Sequence, residues 1–301
     1  MIDSLCLLVM CKDQLEDLQE IYRLFKGKVK QSVFVITSMN RWKEISDFCK
    51  LEFIDCFYFK WIDDYSAPLN AALRLIKTEW AFRLDTDERI DQENIHKLFL
   101  AMQLAEKDRR FGGFSVIQRG YLQDFRNEMG MKIEISSSSE ARGYTHYVDD
   151  HPVRLFRNDP QIYWEFNTHE HLCWAIGRAL YKVGKTSILL HHYGKINMKE
   201  KSQYYLKLQE RRVQKYPEDQ QSYFYLGSAY DFCGEVEKSR NAFQKSVDYH
   251  PLYWPGWVGL VLSTYKLGND YRRIIYKAEE LFGKDKVDTY LLPILLPLIG
   301  E

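Results

Sequence analysis

The sequence of 301 residues predicts an α/β unit with a mostly parallel sheet, followed by an all-α unit. Two observations support this division. Short apolar runs alternate with segments of helical spacing through the first part of the chain, an order typical of parallel strands joined by helices. From Met198 onward the strand-like runs cease and helical spacing continues. We therefore expect two domains, at residues 1–197 and 198–301, with a seam near residues 194–199.

The elements of the first domain follow from local periodicity. Strands are predicted where β-branched and aromatic residues run or alternate, and helices where apolar residues recur every three or four positions. The predicted strands are 4–10, 32–37, 53–61, 80–84, 112–119, 153–156, 162–166 and 186–191, and the predicted helices are 13–25, 41–49 and 67–75. Residues 133–144 carry a run of serines among charged residues, which predicts an exposed loop. Since ligands bind at the carboxyl ends of parallel strands, we expect the site in the residues that follow them.

Composition and charge argue against several classes of protein. A hydrophobic fraction of 46% predicts a globular chain rather than a disordered one. Lysine plus arginine equals aspartate plus glutamate at 42 each, so the net charge gives no reason to expect nucleic acid or an anionic membrane as a partner. No apolar run is long enough to span a membrane, and residues 1–13 lack the basic region and cleavage site of a signal peptide. Six scattered cysteines without a CxxC pair predict free thiols in a cytoplasmic protein.

The second domain contains a helical repeat. One copy shows the alternation of small and large residues of the tetratricopeptide pattern, which lets two antiparallel helices interlock. Its residues are Tyr223, Leu226, Gly227, Tyr230, Gly234, Ser239, Phe243 and Pro251. A second, degraded copy places Trp257, Leu260 and Gly268 at the interval of that family, with Thr264 in place of the aromatic residue. Such helix pairs bind extended chains and serve equally for a homodimer, and an ordinary helical cap without a binding role is the alternative.

The densest chemical signal follows a predicted buried strand. Asp85 and Asp87 stand one residue apart directly after the segment WAFRL, at the ligand-binding end of a parallel sheet. A nucleotide diphosphate is held through a hard divalent cation, and such cations take one or two carboxylates together with phosphate oxygens. An Asp-x-Asp turn is common on protein surfaces, but its position here favours a site for Mn²⁺ or Mg²⁺.

Several segments, in this order along the chain, resemble the family 2 glycosyltransferases, in the branch whose catalytic domain is followed by tetratricopeptide repeats. They read VMCKD at 9–13, WIDDYSAPLN at 61–70, LDTDE at 84–88, RLFRN at 154–158, HE at 169–170 and HYG at 192–194. The resemblance covers most of the chain and implies a GT-A, Rossmann-like sheet of the nucleotide-diphospho-sugar transferase type. Some members of this branch resemble the enzymes that glycosylate cysteine or serine of bacteriocin peptides.

The resemblance also implies roles for individual residues. Asp64 would contact the nucleobase, Asp85 the ribose or the diphosphate, and Asp87 the metal ion. His192 would be a further metal or diphosphate contact, although a hydrogen-bonded interdomain histidine explains it equally well. The remaining residues assigned to the nucleotide sugar are Met10, Thr37, Asn70 and Thr86. Residues 36–40 read ITSMN where the family has an Asp-x-Gly-Ser-x-Asp turn, so the hydroxyl groups of Thr37 and Ser38 would take the place of a carboxylate.

Family 2 enzymes generally invert the anomeric carbon, which requires a carboxylate that deprotonates the acceptor. Glu170 lies between two histidines and is the first candidate for this base, with Asp149 and Asp150 as alternatives. Arg154 and Arg157 stand at an odd spacing on a strand, which predicts opposite faces and one guanidinium directed at the diphosphate.

The histidines allow a second interpretation of this region. His169, Glu170 and His171, with His191 and His192, could form a zinc cluster, but the HExxH spacing that puts two ligands on one helical face is absent.

The sequence thus predicts a metal-dependent, inverting glycosyltransferase that moves a hexose-type sugar from a nucleotide-diphosphate donor to a peptide, protein or glycan acceptor, and a UDP-sugar is the expected donor. A catalytically inactive repeat-containing scaffold or binding module is the alternative from another class. A nucleotidyltransferase ranks last, because residues 10–15 contain none of the glycines of a phosphate-binding loop.

Overall fold

The computed structural model describes residues 2–122, 134–135, 139–193, 198–219, 221–292 and 295. Internal contacts divide the chain into two compact units, the first formed by residues 1–123 and 135–194 and the second chiefly by residues 195–301. The predicted seam near 194–199 falls largely outside the described residues, as do residues 133 and 136–138 of the predicted loop.

A ten-stranded sheet forms the centre of the first unit within the described part of the chain. Its strands are β1 (Ile2–Cys11), β2 (Val29–Ile36), β3 (Asp55–Tyr58), β4 (Trp80–Asp85), β5 (Glu88–Arg89), β6 (Phe111–Leu122), β7 (Glu134–Ile135), β8 (His146–Asp150), β9 (Val153–Arg157) and β10 (Lys182–His192). They lie in the order β3-β2-β1-β4-β9-β6-β10-β5, and β8 pairs with β6 and β7 off this path.

Most neighbouring strands on this path are parallel. β1 pairs in parallel with β2 and β4, β2 with β3, and β6 with β10. β9 runs antiparallel between β4 and β6, and β5 runs antiparallel beside β10. The predicted fold class, a mostly parallel α/β sheet followed by helices, is confirmed.

Helices cover both faces of the sheet. Alternate residues of each strand point to opposite sides, so each strand contributes to two separate cores. The helices of this unit are α1 (Leu15–Phe25), α2 (Trp42–Leu51), α3 (Ser66–Leu73), α4 (Gln92–Lys107) and α5 (Cys173–Arg178). On β1, Leu7 and Val9 belong to the larger core, which includes residues of α1, α2 and α4. Cys6 and Leu8 belong to the other core, with Leu69 of α3 and Ile176 of α5.

One predicted strand is wrong. Residues 162–166 keep the alternating burial of a strand but form no ladder, apart from a single bridge between Glu165 and His171. The side-chain amide of Asn70 takes the place of a neighbouring strand: it donates to the carbonyl of Trp164 at 2.9 Å and accepts from its N–H at 2.8 Å. Alternation alone therefore could not distinguish this segment from a paired strand.

From Met198 onward, the described residues form helices joined by short turns. Its helices are α6 (Met198–Lys215), α7 (Ser222–Phe232), α8 (Val236–Tyr249), α9 (Trp254–Lys266), α10 (Arg272–Phe282) and α11 (Lys284–Tyr290). Gly234 and Gly268 follow α7 and α9 with φ of 78° and 68°, the left-handed conformation that ends helices. No helix among the described residues is long and apolar enough to cross a membrane.

Phe243 of α8 lies against a glycine of each neighbouring helix. A Cβ atom added to Gly227 of α7 would stand 2.8 Å from its ring, and one added to Gly259 of α9 would stand 2.4 Å from it. Both distances are below van der Waals contact, so the two glycines let α7 and α9 approach the ring closely.

We expect Gly259→Ala to destabilise the helical unit by about 1–3 kcal/mol, because the added methyl group overpacks the core around Phe243. Thermal and urea unfolding followed by circular dichroism would measure the loss. Gly177→Ala in α5 is the matched control, since no atom lies within 4 Å of its added Cβ, and its midpoint should stay equal or rise. An unchanged midpoint in Gly259→Ala would contradict this account of the packing.

Candidate active site

A buried charged network lies at the carboxyl end of β4. Arg83, inside the strand, donates to Oδ1 of Asp85 at 2.9 Å. Arg154 of β9 donates to the other oxygen, Oδ2, also at 2.9 Å. Both arginines are buried. Asp85 therefore ends the strand with each carboxylate oxygen bound by a different guanidinium group.

Arg154 reaches this position through an irregularity in β9. Phe114 pairs with Leu155 and Ser115 pairs with Val153, so Arg154 is the extra residue of a β-bulge. Bulges redirect side chains and are frequent beside active sites. Arg157, by contrast, stacks over the ring of Trp80 at 4.7 Å and pairs with Glu79, away from the network. The predicted separation of the two arginines is thus observed, with Arg154 at the site.

Glu88, the first residue of β5, completes the network after the turn that follows β4. Its side chain is fully buried, and its Oε2 accepts from the backbone N–H of Asp85 at 2.8 Å. Its Oε1 accepts from Arg154 at 2.6 Å and from the side-chain amide of Gln118. These bonds fix the Thr86–Asp87 turn between β4 and β5.

The pairing of β5 with β10 sets Asp87 beside His192. Glu88 stands opposite His192 in the antiparallel register, and the N–H of Tyr193 donates to the carbonyl of Asp87 at 2.9 Å. Nε2 of His192 then lies 3.3 Å from Oδ2 of Asp87. The side chain of Asp87 is 46% exposed against 26% for Asp85, so it is the more accessible carboxylate of the Asp-x-Asp turn.

Burial and charge act in opposite directions on these groups. Burial raises the pKa of Asp85, but Arg83 and Arg154 outweigh it and hold the pKa of that carboxyl well below its usual range. Burial raises the pKa of Glu88, which the charge of Arg154 offsets only in part. Burial lowers the pKa of His192, but the hydrogen bond and charge of Asp87 raise it overall. The two arginines therefore favour the ionised form of Asp85.

Glu170 joins the same network. Its Oε1 lies 2.7 Å from Nη1 of Arg83, and its side chain is 12% exposed. The loop that carries it has left-handed backbone at Phe166 (φ 72°) and His169 (φ 49°). A hydrogen bond from the Ser66 hydroxyl to the Phe166 carbonyl holds this loop. Arg83 thus bridges Asp85 and Glu170, which are 85 residues apart in the sequence.

The structure brings some of the predicted nucleotide-sugar residues to this edge. Met10 pairs in register with Asp85, and the N–H of Thr37 donates to the carbonyl of Cys11 at 2.9 Å where β1 and β2 end. Thr86 directly follows β4, and its carbonyl accepts from Arg89 at 2.8 Å.

Two other predicted residues form hydrogen bonds that stabilise the fold. Asp64 accepts the N–H of Ala67 at 3.0 Å at the start of α3, and the amide of Asn70 is bound to the backbone of Trp164. Their roles toward a donor stay predictions. Ser66, between them, binds the loop of Glu170.

Asp87 and His192 fit a metal ion as a two-ligand site. No group of three or more His, Cys, Asp and Glu side chains in the described part of the chain could hold a metal by itself. Mg²⁺ and Mn²⁺ commonly take one or two carboxylates and complete their shell with phosphate oxygens and water. The residues therefore suit a cation that arrives with a diphosphate, and they do not suit a structural zinc ion.

The zinc cluster considered from the sequence is accordingly wrong for the described residues. Glu170 binds Arg83, the ring of His171 packs against Phe166 and Trp174, and Nδ1 of His191 bonds to the Tyr121 hydroxyl at 2.8 Å.

The sequence interpretation missed Arg83, Glu88 and Gln118. An arginine inside the apolar segment WAFRL was the available signal, since a charged residue in a buried strand needs a partner. Glu88 gave no such signal, because an acid beside an Asp-x-Asp turn looks like a solvated residue. The pairing of Gln118 with Glu88 depends on the strand order.

No family model matches the sequence, and no curated protein matches it. Among solved structures, S. aureus TarS is similar with a TM-score of 0.46 and 13% identity, over 90% of this chain and 54% of that one. The chain thus spans about half the length of that TarS chain.

Two further structures are similar at the same level. S. aureus TarS 1-349 in complex with UDP-GlcNAc has a TM-score of 0.43 and 11% identity, over 89% of this chain and 93% of that one. CMP:2-keto-3-deoxy-manno-octonic acid synthetase complexed with CTP has a TM-score of 0.40 and 8% identity, over 62% and 90%. Similarities at these scores do not assign a function.

We expect Arg154→Ala to lower the free energy of unfolding by about 3–5 kcal/mol, because it leaves Glu88 buried without its cation. Urea unfolding followed by fluorescence would measure the loss. Arg110→Ala, whose side chain is 77% exposed beside Asp108, is the control and should leave the midpoint unchanged.

A second variant tests the cause. Glu88→Gln in the Arg154→Ala background removes the uncompensated charge and should recover part of the stability. A double variant as unstable as Arg154→Ala alone would show that the lost charge pairing is not responsible.

Proposed function

We propose that the chain is a metal-dependent glycosyltransferase that transfers a hexose-type sugar from a nucleotide-diphosphate donor, with UDP as the preferred nucleotide. The observation that carries the proposal is the arrangement at the end of β4. Asp87 is an exposed carboxylate 3.3 Å from His192, and Glu170 is joined to Asp85 through Arg83.

The charge balance of the network supports dependence on a divalent cation. Its two arginines, Arg83 and Arg154, are matched by the three carboxylates of Asp85, Glu88 and Glu170. The network therefore has no surplus positive charge with which to bind a diphosphate. A cation held by Asp87 and His192, Mn²⁺ or Mg²⁺, would supply that charge and stabilise the departing diphosphate.

The carboxyl ends of the central strands form the proposed donor site. Met10, Thr37, Asp85 and Thr86 stand where β1, β2 and β4 end, the position at which parallel sheets bind nucleotides. Asp85 is held ionised by its arginines and would accept hydrogen bonds from ribose hydroxyl groups. Asp64 and Asn70 position the neighbouring loop and helix α3, through which they would act on the nucleobase side.

Glu170 is the proposed general base of an inverting transfer. Its Oε1 is bound to Arg83, which fixes the carboxylate relative to Asp85. The base removes the proton of the acceptor hydroxyl or thiol while that atom attacks the anomeric carbon from the side opposite the diphosphate. Asp149 is less suited, because both of its oxygens bind Arg119 at 2.8 Å.

The acceptor, in this proposal, is a peptide, a protein or a glycan, and the enzyme acts in the cytoplasm. The helical unit, interpreted as tetratricopeptide-like repeats in a domain at 198–301, would bind an acceptor or form a homodimer. The alternative, an inactive scaffold, would not require an exposed carboxylate beside a histidine, because it would bind no metal ion.

Calorimetric titration of the full chain with UDP-, GDP- and dTDP-sugars, with and without Mn²⁺, tests the proposed donor site. We expect one donor to bind in a Mn²⁺-dependent manner. Asp87→Asn should weaken that binding by at least the roughly 10–100-fold that loss of an outer-shell metal partner causes. Asp47→Asn, an exposed acid of α2, is the matched control and should bind like the wild type. If the wild type binds no donor with Mn²⁺ present, the scaffold interpretation replaces the proposal.

Glu170→Gln separates chemistry from binding. It keeps the shape of the side chain and a hydrogen bond to Arg83 but removes the base, so kcat for transfer should fall by roughly 10²–10⁴ while donor affinity changes little. Release of the nucleoside diphosphate in a coupled assay measures the rate. Transfer at the wild-type rate would exclude Glu170 as the base.

A further inference from the structure

An exposed aromatic residue stands close to the proposed base. Trp174, the second residue of α5, is 41% exposed although tryptophan is usually well buried. Its ring meets those of Phe166 and His171 edge to face, at 5.3 and 5.4 Å between centroids. Phe166 and His171 flank Glu170 in the same loop, so Trp174 packs against the segment that carries the proposed base.

A carboxylate lies near the same end of α5. Asp150 is exposed and stands directly opposite Gln118 in the pairing of β8 with β6, so the two side chains share a face. The amide of Gln118 binds Glu88, so Asp150 is the cross-strand neighbour of a residue of the buried network, and its Oδ1 accepts the N–H of His151 at 2.7 Å. Val153, three residues after Asp150, packs in the same core as Leu172 and Ile176, which brings the segment after β8 to α5.

The outer face of α5 extends this surface. Arg178 lies one helical turn after Trp174 and therefore on the same side of the helix. Its guanidinium lies over the ring of Tyr163 and donates to the Tyr163 hydroxyl at 3.1 Å. Tyr163 is also 41% exposed. The charge of Arg178 is matched by Glu165 at 3.0 Å, so this strip presents aromatic surface without a net positive charge.

Resting on the function proposed above, we propose that Trp174 and Asp150 form the acceptor subsite and that the acceptor is a saccharide. A sugar ring presents an apolar C–H face, which stacks on an exposed aromatic ring, and hydroxyl groups, which donate to a carboxylate. A peptide acceptor would be recognised through its backbone or through side-chain charge, for which this strip offers neither a free strand edge nor an unpaired cation among the described residues. Tyr163 continues the surface, which suits an oligosaccharide.

The test uses the full chain and two separate measurements. Donor binding without acceptor is measured by calorimetry, as above. Binding and transfer are then measured with maltose, cellobiose, lactose and diacetylchitobiose as saccharide probes, and with a synthetic peptide containing serine and cysteine. We expect at least one saccharide to bind and to accept the sugar. Trp174→Ala should raise its KM by about tenfold with a smaller change in kcat, and Trp174→Phe should restore most of the affinity.

Two variants keep the test independent of folding. Asp150→Ala changes an exposed residue and should also raise the saccharide KM, while donor affinity and thermal stability stay at the wild-type value. Phe53→Ala is the control, because its ring is 96% exposed in the turn before β3, at the amino end of the parallel strands. It should change none of these quantities.

The outcomes separate the two proposals. If the wild type binds none of the nucleotide-sugar donors, the proposed function is overturned. Intact donor binding with no saccharide bound, a saccharide KM unaffected by Trp174→Ala and Asp150→Ala, or transfer to the peptide alone would overturn the saccharide subsite and leave the proposed function in place.

Discussion

The structure depends on the need to compensate two buried arginines. A guanidinium ion loses several kilocalories per mole of solvation when it leaves water, and only carboxylates with good hydrogen-bond geometry recover that loss. Arg83 and Arg154 are both buried at the end of β4, where Asp85, Glu88 and Glu170 surround them. These three carboxylates come from a strand end, a turn and a distant loop. Their pairing with the arginines therefore fixes the relative positions of those segments.

This constraint explains why the two carboxylates of the Asp-x-Asp turn differ. Alternate residues of a strand share a face, so a continued β4 would place Asp85 and Asp87 side by side. The strand ends at Asp85, however, because Glu88 accepts the N–H of Asp85 and then pairs with β10 in the opposite direction. Asp85 is held as a half-buried anion with a side chain 26% exposed, whereas Asp87 lies beside His192 and is 46% exposed. One short segment thus provides a carboxylate fixed by two arginines and a second, more accessible one.

The sequence predicted the parts of the fold that have a clear period. The apolar runs of β1, β4, β6 and β10 and the spacing of α1 to α3 were visible, and Asp85, Asp87 and Glu170 were named as site residues. The β-bulge at Arg154 could not be predicted, because it depends on how β9 pairs with β6. Segment 162–166 was mistaken for a strand, because the amide that replaces its neighbour comes from Asn70, far away in sequence. Both failures concern long-range hydrogen bonds, which leave no local pattern.

The loop of Glu170 shows how the two sides of the site are connected. Left-handed backbone at Phe166 and His169 costs about 1–3 kcal/mol per residue and persists only where other contacts impose it. Arg83 supplies one such contact through Glu170. The others come from the segment before α3, where the Ser66 hydroxyl binds the Phe166 carbonyl and the Tyr65 N–H donates to the Asn167 carbonyl at 2.9 Å. That segment also contains Asp64. Because these two hydrogen bonds join the two loops, a displacement of the Asp64 segment would also displace the carboxylate of Glu170.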